Sequence, residues 1–183
     1  MRPWKRIAID EPIKVGWRKL TRKVFLDPDG NEQEFYTYEA PGLRHGAVVA
    51  ITEDRQVVLI EQFRPGPEKI VDDLPGGNIK DGEDPEKGVT RELLEETGYQ
   101  AGRVTHLGDH SKDDYHNATW SFYLAEDCRK IADQNLDEGE FVQVKLVSIK
   151  DFLDKALRGE IADAAAVLMA YNRLQEIDKE GND

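Results

Sequence analysis

The segment 77–99, GNIKDGEDPEKGVTRELLEETGY, holds five glutamates and two aspartates around what the sequence predicts to be a single helix. Asp84 is a favourable N-cap, and Pro85 is a favourable first helical residue. Gly98 is a typical residue for the C-terminal end of a helix. The segment therefore predicts a helix from residue 85 to about residue 97, and it poses the question of what so many carboxylates bind.

Three of these carboxylates fall on one face of the predicted helix. At about 100° per residue, Glu92, Glu95 and Glu96 lie within about a third of a turn of one another. Exposed carboxylates at this spacing repel each other by only a few tenths of a kcal/mol per pair. A solvated acidic face is therefore a sufficient explanation for the triplet when it is considered by itself. Clustered carboxylate oxygens are also the ligands that Mg²⁺ and Mn²⁺ prefer. On the helix alone, both interpretations stay open.

The loop before the helix favours the metal interpretation. The stretch 74–83, LPGGNIKDGE, contains closely spaced glycines, whose backbone carbonyls can reach a cation and which let a phosphate come close. Arg91, next to Glu92, can form an ion pair with Glu83 and so orient the ligands. Two or more divalent ions held here could bridge a diphosphate, neutralise developing charge and activate water for attack on phosphorus.

Composition limits the partners of the protein. Its 183 residues carry a formal charge of -12, which repels nucleic-acid backbones and anionic membranes. No apolar run approaches the ~20 residues of a membrane helix, and residues 1–12, MRPWKRIAIDEP, lack the apolar region of a signal peptide. A single cysteine, Cys128, excludes an internal disulfide framework. The sequence therefore predicts a cytoplasmic protein that binds neither nucleic acid nor membranes.

The composition of the chain changes near residue 42. Residues 1–42 consist of charged extended segments, whereas GAVVAITED and QVVLIEQF beyond them are apolar and β-branched, as in buried hairpin strands. Helical periodicity marks the C-terminal tail, and further strands are expected at 101–108, 119–125 and 140–148. We therefore expect an α/β protein in which a small N-terminal antiparallel β-subdomain precedes a main domain, residues 43–183, with a mixed sheet and helices.

The spacing within 77–99 is that of a Nudix box. Gly77, Glu83 and the run Arg91–Tyr99, RELLEETGY, match every fixed position of the pattern G-x5-E-x7-R-E-U-x-E-E-x-G-U, where U is a bulky apolar residue. Tyr99 at the last position departs only mildly from that pattern. The chain is therefore similar to the Nudix hydrolases.

The similarity extends beyond the box to the branch of ADP-ribose pyrophosphatases and nucleotide-sugar hydrolases. It is carried by 45–65, HGAVVAITEDRQVVLIEQFRP, by 137–144, DEGEFVQV, and by 159–164, GEIADA. It implies an α/β/α sandwich that uses two or more Mg²⁺ ions, or Mn²⁺, to hydrolyse the diphosphate of a nucleoside diphosphate sugar such as ADP-ribose or GDP-mannose. The products would be a nucleoside monophosphate and a sugar phosphate. In this branch the N-terminal strands commonly take part in a homodimer, so residues 1–42 are expected to dimerise; whether their strands are exchanged stays open.

The resemblance also implies roles for individual residues. The expected metal ligands are the Gly77 carbonyl, Glu92, Glu95, Glu96 and Glu140. Glu138 is the expected general base, with Glu95 as the alternative, and Glu83 with Arg91 is the expected supporting pair. Without the box, the acidic residues 137–140 would be interpreted as a solvated turn.

Two arginines are candidates for binding phosphate, because a guanidinium group matches phosphate oxygens with two parallel hydrogen bonds. Arg64 is the better candidate, since it ends a predicted strand near the glycine loop. For Arg44, a surface ion pair is an equally good interpretation.

One position departs from the ADP-ribose-specific pattern. Those relatives tend to have a proline about 16 residues after the box, where this chain has Tyr115, and a tyrosine there is associated with dinucleoside polyphosphate hydrolases. The preferred sugar and base therefore stay open. The alternatives are a dinucleoside polyphosphate hydrolase and a Nudix-fold sensor that binds a nucleotide sugar without cleaving it. The complete glutamate triplet argues against a sensor.

Overall fold

A computed structural model describes residues 2–16, 18–38, 40, 44–111 and 113–180. The chain divides into two compact units. The N-terminal unit comprises Met1–Leu43 and Ser111–Thr119, and the main unit comprises Arg44–His110 and Trp120–Asp183. The boundary expected between residues 42 and 43 lies outside the described residues. The segment 111–119, expected in the main domain, clusters with the N-terminal residues.

The N-terminal unit is built on one antiparallel sheet. Its strands are β1 (Lys5–Ile9), β2 (Ile13–Val15), β3 (Arg18–Leu26) and β4 (Glu32–Tyr38). Strand β3 pairs with each of the other three. Between β3 and β4, the Asp27 carboxylate accepts the N–H groups of Asp29 (3.0 Å) and Asn31 (2.9 Å), and Gly30 takes a positive φ of 87°. The predicted antiparallel N-terminal sheet is thus confirmed.

The described residues of the main unit form eight strands and three helices. The strands are β5 (Arg44–Thr52), β6 (Gln56–Arg64), β7 (Lys69–Asp73), β8 (Gly76–Ile79), β9 (Tyr99–Gln100), β10 (Arg103–Ser111), β11 (Thr119–Lys130) and β12 (Val142–Ser148). The helices are α1 (Pro85–Thr97), α2 (Ile149–Leu157) and α3 (Ala164–Lys179). The sheet runs in the order β10-β11-β5-β6-β12, with β7 paired to β6, β8 to β5 and β9 to β11. Within the residues that the structure describes, no helix is long and apolar enough to cross a membrane.

Strand β5 explains why the sheet has helices on both faces. Its residues alternate between two cores: Ala47, Val49 and Ile51 pack with side chains of α2 and α3, whereas Val48 and Ala50 pack with α1. A strand covered on both faces needs apolar side chains at every position, and this is why GAVVAIT is a continuous apolar run. The predicted α/β/α sandwich is confirmed.

Helix α1 begins and ends where the sequence predicts. The Asp84 side chain accepts the N–H groups of Glu86 (2.9 Å) and Lys87 (3.4 Å), and Gly98 closes the helix in the left-handed conformation with a φ of 75°. Leu93 is fully buried against the sheet. Both ends and the buried face are therefore set by local sequence, and they fix the orientation of the acidic face.

Candidate metal and diphosphate site

The two glycines of LPGG bring strand β8 close to both β5 and α1. In the antiparallel pairing of β5 with β8, Gly77 lies opposite Gly46 and Gly76 lies opposite Ala47. A Cβ on Gly77 would lie 2.5–2.6 Å from the carboxylate atoms of Glu92, and a Cβ on Gly76 would lie 2.2 Å from the Gly46 carbonyl oxygen. Because no side chain fits at either position, the backbone of β8 lies directly against the first acidic residue of the triplet.

Glu83 and Arg91 join the loop after β8 to helix α1. Arg91 donates from Nε and Nη2 to the two oxygens of Glu83, at 3.0 and 3.2 Å. Glu83 also accepts the N–H of Lys80 at 2.9 Å. The hydrogen bonds from Arg91 and then from the Lys80 N–H lower the pKa of Glu83 to about 2. The structure therefore brings together the two residues that were expected to support the site.

The same guanidinium also contacts two members of the acidic triplet. Arg91 Nη1 lies 2.9 Å from Glu92 Oε1 and 2.8 Å from Glu95 Oε2. Three carboxylates thus surround one cation, which raises the pKa of Arg91. Arg91 consequently holds Glu92 and Glu95 at a separation that their own repulsion would oppose.

Glu96 is the buried member of the triplet. Its side chain accepts the backbone N–H of Gly76 at 2.7 Å, and the residue is only 7% exposed. Burial raises the pKa of Glu96 to about 8, and the charges of Glu92, Glu140 and Asp73 act in the same direction. Burial is also the main cause of the raised pKa of Glu92. A cation placed beside these carboxylates would favour their charged forms.

The segment after β11 is tied to the C-terminal end of α1. The Asn135 N–H donates to the Glu95 carbonyl at 2.8 Å. The Gln134 side chain donates to the carbonyls of Glu96 (2.6 Å) and Val142 (3.1 Å), and so closes the base of the loop that follows. Gln134 was not predicted from the sequence, because an exposed glutamine in a polar segment carries no periodic signal.

The tip of this loop is the acidic turn 137–140. The Glu140 N–H donates to the Asp137 carbonyl at 3.0 Å, and Gly139 supplies the positive φ of 88° that the turn needs. The Glu140 side chain accepts the Asp137 N–H at 3.0 Å, and its charge contributes to the raised pKa values of Glu92 and Glu96. Glu138 is exposed at the tip and makes no side-chain hydrogen bond or ion pair within the described part of the chain.

The two candidate phosphate-binding arginines have different surroundings. Arg64, at the end of β6, donates from Nε and Nη2 to the buried Asp73 carboxylate, with a distance of 3.1 Å from Nε. Arg44, at the start of β5, is exposed and lies opposite Ile79 of β8. The pKa of Asp109 is lowered, chiefly by the hydrogen bond from the Ser121 hydroxyl. His106 and the positive charge of Arg44 lower this pKa to a smaller extent. Asp73 was not predicted from the sequence, although an acidic residue directly before the apolar Leu74 at a strand end is a usable signal.

The three carboxylates of the acidic triplet contact protein donors in this structure. Across residues 2–16, 18–38, 40, 44–111 and 113–180, no group of three or more His, Cys, Asp or Glu side chains is already arranged to hold a metal ion. Glu92 and Glu95 contact Arg91, and Glu96 contacts the Gly76 N–H. The donor set is nevertheless one that suits a hard divalent cation, since it consists of carboxylates around a backbone position that has no side chain.

The raised pKa of Glu96 predicts that stability depends on pH in the metal-free protein. Folding raises this pKa from 4.5 to about 8, so between these values the folded state binds more protons than the unfolded state. Stability should therefore fall as pH rises through this window. We expect the stability of Glu96→Gln, whose side chain cannot titrate, to decrease much less over this pH window. Thermal melting in EDTA across the window measures it, with the exposed Glu68→Gln as a matched control. Parallel curves for wild type and Glu96→Gln would contradict the prediction.

Comparisons with known proteins find similar sequences over most of the chain. The NUDIX domain family model matches residues 42–168. The chain is 32% identical over 152 residues to an ADP-ribose pyrophosphatase of Bacillus subtilis, with 81% of each protein covered. It is 27% identical over 171 residues to a GDP-mannose pyrophosphatase of Yersinia pestis, with 87% of this chain and 86% of that protein covered.

A solved structure shares the fold. The crystal structure of an ADP compounds hydrolase superposes with a TM-score of 0.82 over 96% of both chains, at 18% sequence identity. At that identity the likeness supports the fold alone. The family match spans most of the chain and includes the complete box, and on this basis the protein belongs to the NUDIX domain family.

Proposed function

We propose that the protein hydrolyses the diphosphate linkage of nucleoside diphosphate sugars to a nucleoside monophosphate and a sugar phosphate. One observation carries the proposal. Among the described residues, four acidic residues are buried, and basic side chains pair with three of them: Asp72, Asp73 and Glu126. The fourth, Glu96, accepts only a neutral backbone N–H. A buried carboxylate without a cationic partner is costly, and a divalent ion supplies the missing charge.

The ligand set is the acidic triplet with its neighbours. The residues that would hold Mg²⁺, or Mn²⁺, as two or more ions are Gly77 through its carbonyl, Glu92, Glu95, Glu96 and Glu140. When bound, such ions would neutralise the charge of the diphosphate and would lower the pKa of a bound water. Glu83 and Arg91 orient the ligands, since Arg91 contacts both Glu92 and Glu95.

Two arginines would bind the phosphates of the substrate, and a glutamate would remove a proton from the attacking water. Arg64, whose side chain is 45% exposed, is the principal phosphate-binding residue, and Arg44 is the second. Glu138 is the general base, supported by its exposed position in the turn that carries Glu140 and by the absence, among the described residues, of any hydrogen bond or ion pair to its side chain. Glu95 is the alternative base, but its carboxylate accepts a hydrogen bond from Arg91 Nη1.

The relatives suggest which substrates to test. One is named for ADP-ribose and another for GDP-mannose, so a broad preference among nucleotide sugars is the working proposal. Tyr115 keeps the dinucleoside polyphosphates as the alternative substrate class. The cytoplasmic location expected from the sequence stays a prediction.

Turnover of a substrate panel tests the proposal. Protein with Mg²⁺ is incubated with ADP-ribose, GDP-mannose, UDP-sugars and diadenosine tetraphosphate, and products are resolved by chromatography. We expect a nucleoside monophosphate and a sugar phosphate. Glu96→Gln should lower kcat by roughly two orders of magnitude or more, since removing even an outer partner of a metal ligand costs about 10- to 100-fold. The control is Glu86→Gln, in the exposed first turn of the same helix.

The outcomes separate the alternatives. Cleavage of diadenosine tetraphosphate alone indicates a dinucleoside polyphosphate hydrolase. Saturable binding of nucleotide sugars without products indicates a sensor. Near-wild-type turnover by Glu96→Gln would refute the metal assignment.

The pH dependence of turnover tests the base. Glu138→Gln should lower kcat by about 10²- to 10⁴-fold and abolish the acid limb of the pH–rate profile, because the base must be deprotonated to act. Circular dichroism is the control for folding, and Glu138 is exposed, so the fold should not change. If the profile keeps its acid limb in Glu138→Gln and loses it in Glu95→Gln, the role belongs to Glu95.

We further propose that the protein is a homodimer that associates through its N-terminal unit. The strands of this unit leave apolar side chains exposed: Ile9 by 52%, Ile13 by 63% and Val15 by 64%. Exposed apolar surface of this kind is typical of association sites. Light scattering should give twice the 20.8 kDa of one chain. The Ile13→Lys/Val15→Lys double variant should shift the mass to a monomer, whereas Leu157→Lys, exposed on α2, should not. A monomeric wild type would refute the proposal.

A further inference from the structure

Strand β7 ends with two consecutive aspartates, whose side chains pair with basic side chains on opposite faces of the sheet. Asp72 accepts hydrogen bonds from Lys145 at 3.1 Å and pairs with Lys155 of α2 at 2.7 Å. Asp73 instead binds Arg64 of β6. Neighbouring residues of a strand point to opposite faces, so the two acids belong to separate networks. Asp73 belongs to the network on the face that carries α1.

The carboxylate of Asp73 is buried and saturated with donors. Its Oδ2 accepts Arg64 Nε at 3.1 Å, Arg64 Nη2, and the Gln62 side chain at 3.3 Å. Its Oδ1 accepts the Leu74 N–H at 3.0 Å. Only 2% of the side chain is exposed. Charge-assisted hydrogen bonds to a buried, fully engaged acceptor leave the guanidinium little freedom to turn.

This arrangement leaves part of Arg64 available. A guanidinium has five N–H donors in a rigid plane, and Arg64 uses Nε and Nη2 on Asp73. Nη1 has no acceptor within the described part of the chain, and the side chain is 45% exposed. Nη1 together with the second hydrogen of Nη2 forms the edge that matches two phosphate oxygens.

A short stretch of backbone connects Asp73 to the acidic triplet. Asp73 precedes Leu74-Pro75-Gly76, and the Gly76 N–H donates to the Glu96 side chain at 2.7 Å. Asp73 also lies on the face of the sheet that carries α1, the helix to which Glu96 belongs. The guanidinium that Asp73 orients therefore lies on the same face of the sheet as the carboxylate that would hold the metal.

We propose that Asp73 is a positioning residue for the reaction: it fixes the Arg64 guanidinium so that its free edge binds the diphosphate next to Glu96. Arg64 thereby loses its rotamer freedom on folding rather than on substrate binding. The inference rests on the proposed function, because it names the side chain that orients the phosphate-binding arginine.

A double-mutant cycle between Asp73 and Arg64 tests the inference. Asp73→Asn should raise KM about tenfold and change kcat less than about threefold, because an interaction made equally with substrate and transition state affects KM alone. In an Arg64→Ala background, Asp73→Asn should raise KM no further. Asp72→Asn is the matched control: it removes the neighbouring buried acid and should lower the melting temperature without changing KM.

Binding of inorganic pyrophosphate with Mg²⁺, measured by calorimetry, separates this inference from the proposed function. If wild type cleaves no nucleotide sugar but Asp73→Asn still binds pyrophosphate about tenfold more weakly, the positioning role stands and the proposed function fails. If wild type cleaves the substrate and Asp73→Asn leaves both KM and pyrophosphate affinity unchanged, the positioning role alone is refuted. An equal rise in KM in both backgrounds, or the same rise in Asp72→Asn, would also refute it.

A second variant covers the case in which Asp73→Asn does not fold. Arg64→Lys keeps the positive charge on an exposed side chain but cannot bond Asp73 and a phosphate through separate edges. We expect it to bind pyrophosphate about tenfold more weakly than wild type. Wild-type affinity in Arg64→Lys would show that the fixed guanidinium edge is unnecessary, and it would overturn the inference.

Discussion

The guanidinium of Arg91 is the contact on which the candidate site depends. It binds Glu83 through two nitrogens and Glu92 and Glu95 through the third. Without a cation between them, three carboxylates in a half-buried site would repel one another. Among the residues that the structure describes, the loop after β8 would then have no ion pair with α1. Because Glu83 lies in that loop, the bond that neutralises the charge also fixes the strand against the helix. Charge compensation and geometry therefore come from the same side chain.

The site combines rigid and less constrained parts. Glu96 is on a helix that packs on the sheet, and its carboxylate is bonded to the Gly76 backbone, so its position follows from the core. Glu138 is at the tip of a turn, and the loop that carries it is held by the contacts of Gln134 and Asn135 with the end of α1. A metal ligand profits from fixed geometry, whereas a base must meet a water whose position depends on the substrate. The proposed division of roles fits this difference in support.

Local patterns predicted the parts of the structure that local forces determine. The helix from 85 to 97 was predictable because its caps are short-range hydrogen bonds, and the sandwich was predictable because a strand buried on both faces must be apolar throughout. The helical wheel placed the glutamate triplet on one face but could not show that Glu96 is buried whereas Glu95 is only half-buried and pairs with Arg91. The burial of Glu96 depends on how closely β8 approaches α1, and the pairing of β8 with β5 sets that distance. The contact of Arg64 with Asp73 likewise depends on the β6–β7 register, which no single segment encodes.

Glu96 differs from the other buried acidic residues described in the main unit, because those residues have basic partners. Two lysines neutralise Asp72, Arg64 neutralises Asp73, and two arginines neutralise Glu126. Each of these three buried carboxylates thus has a basic side chain beside it. Glu96 departs from that rule, in a protein with 25 basic residues available. Local departures from an otherwise consistent design mark functional positions, because the cost is retained only where something offsets it. A divalent ion offsets it directly, and binding free energy gained at such a carboxylate adds to folding free energy. The unfavourable burial of Glu96 and the proposed binding of a cation at the site are therefore two aspects of one arrangement.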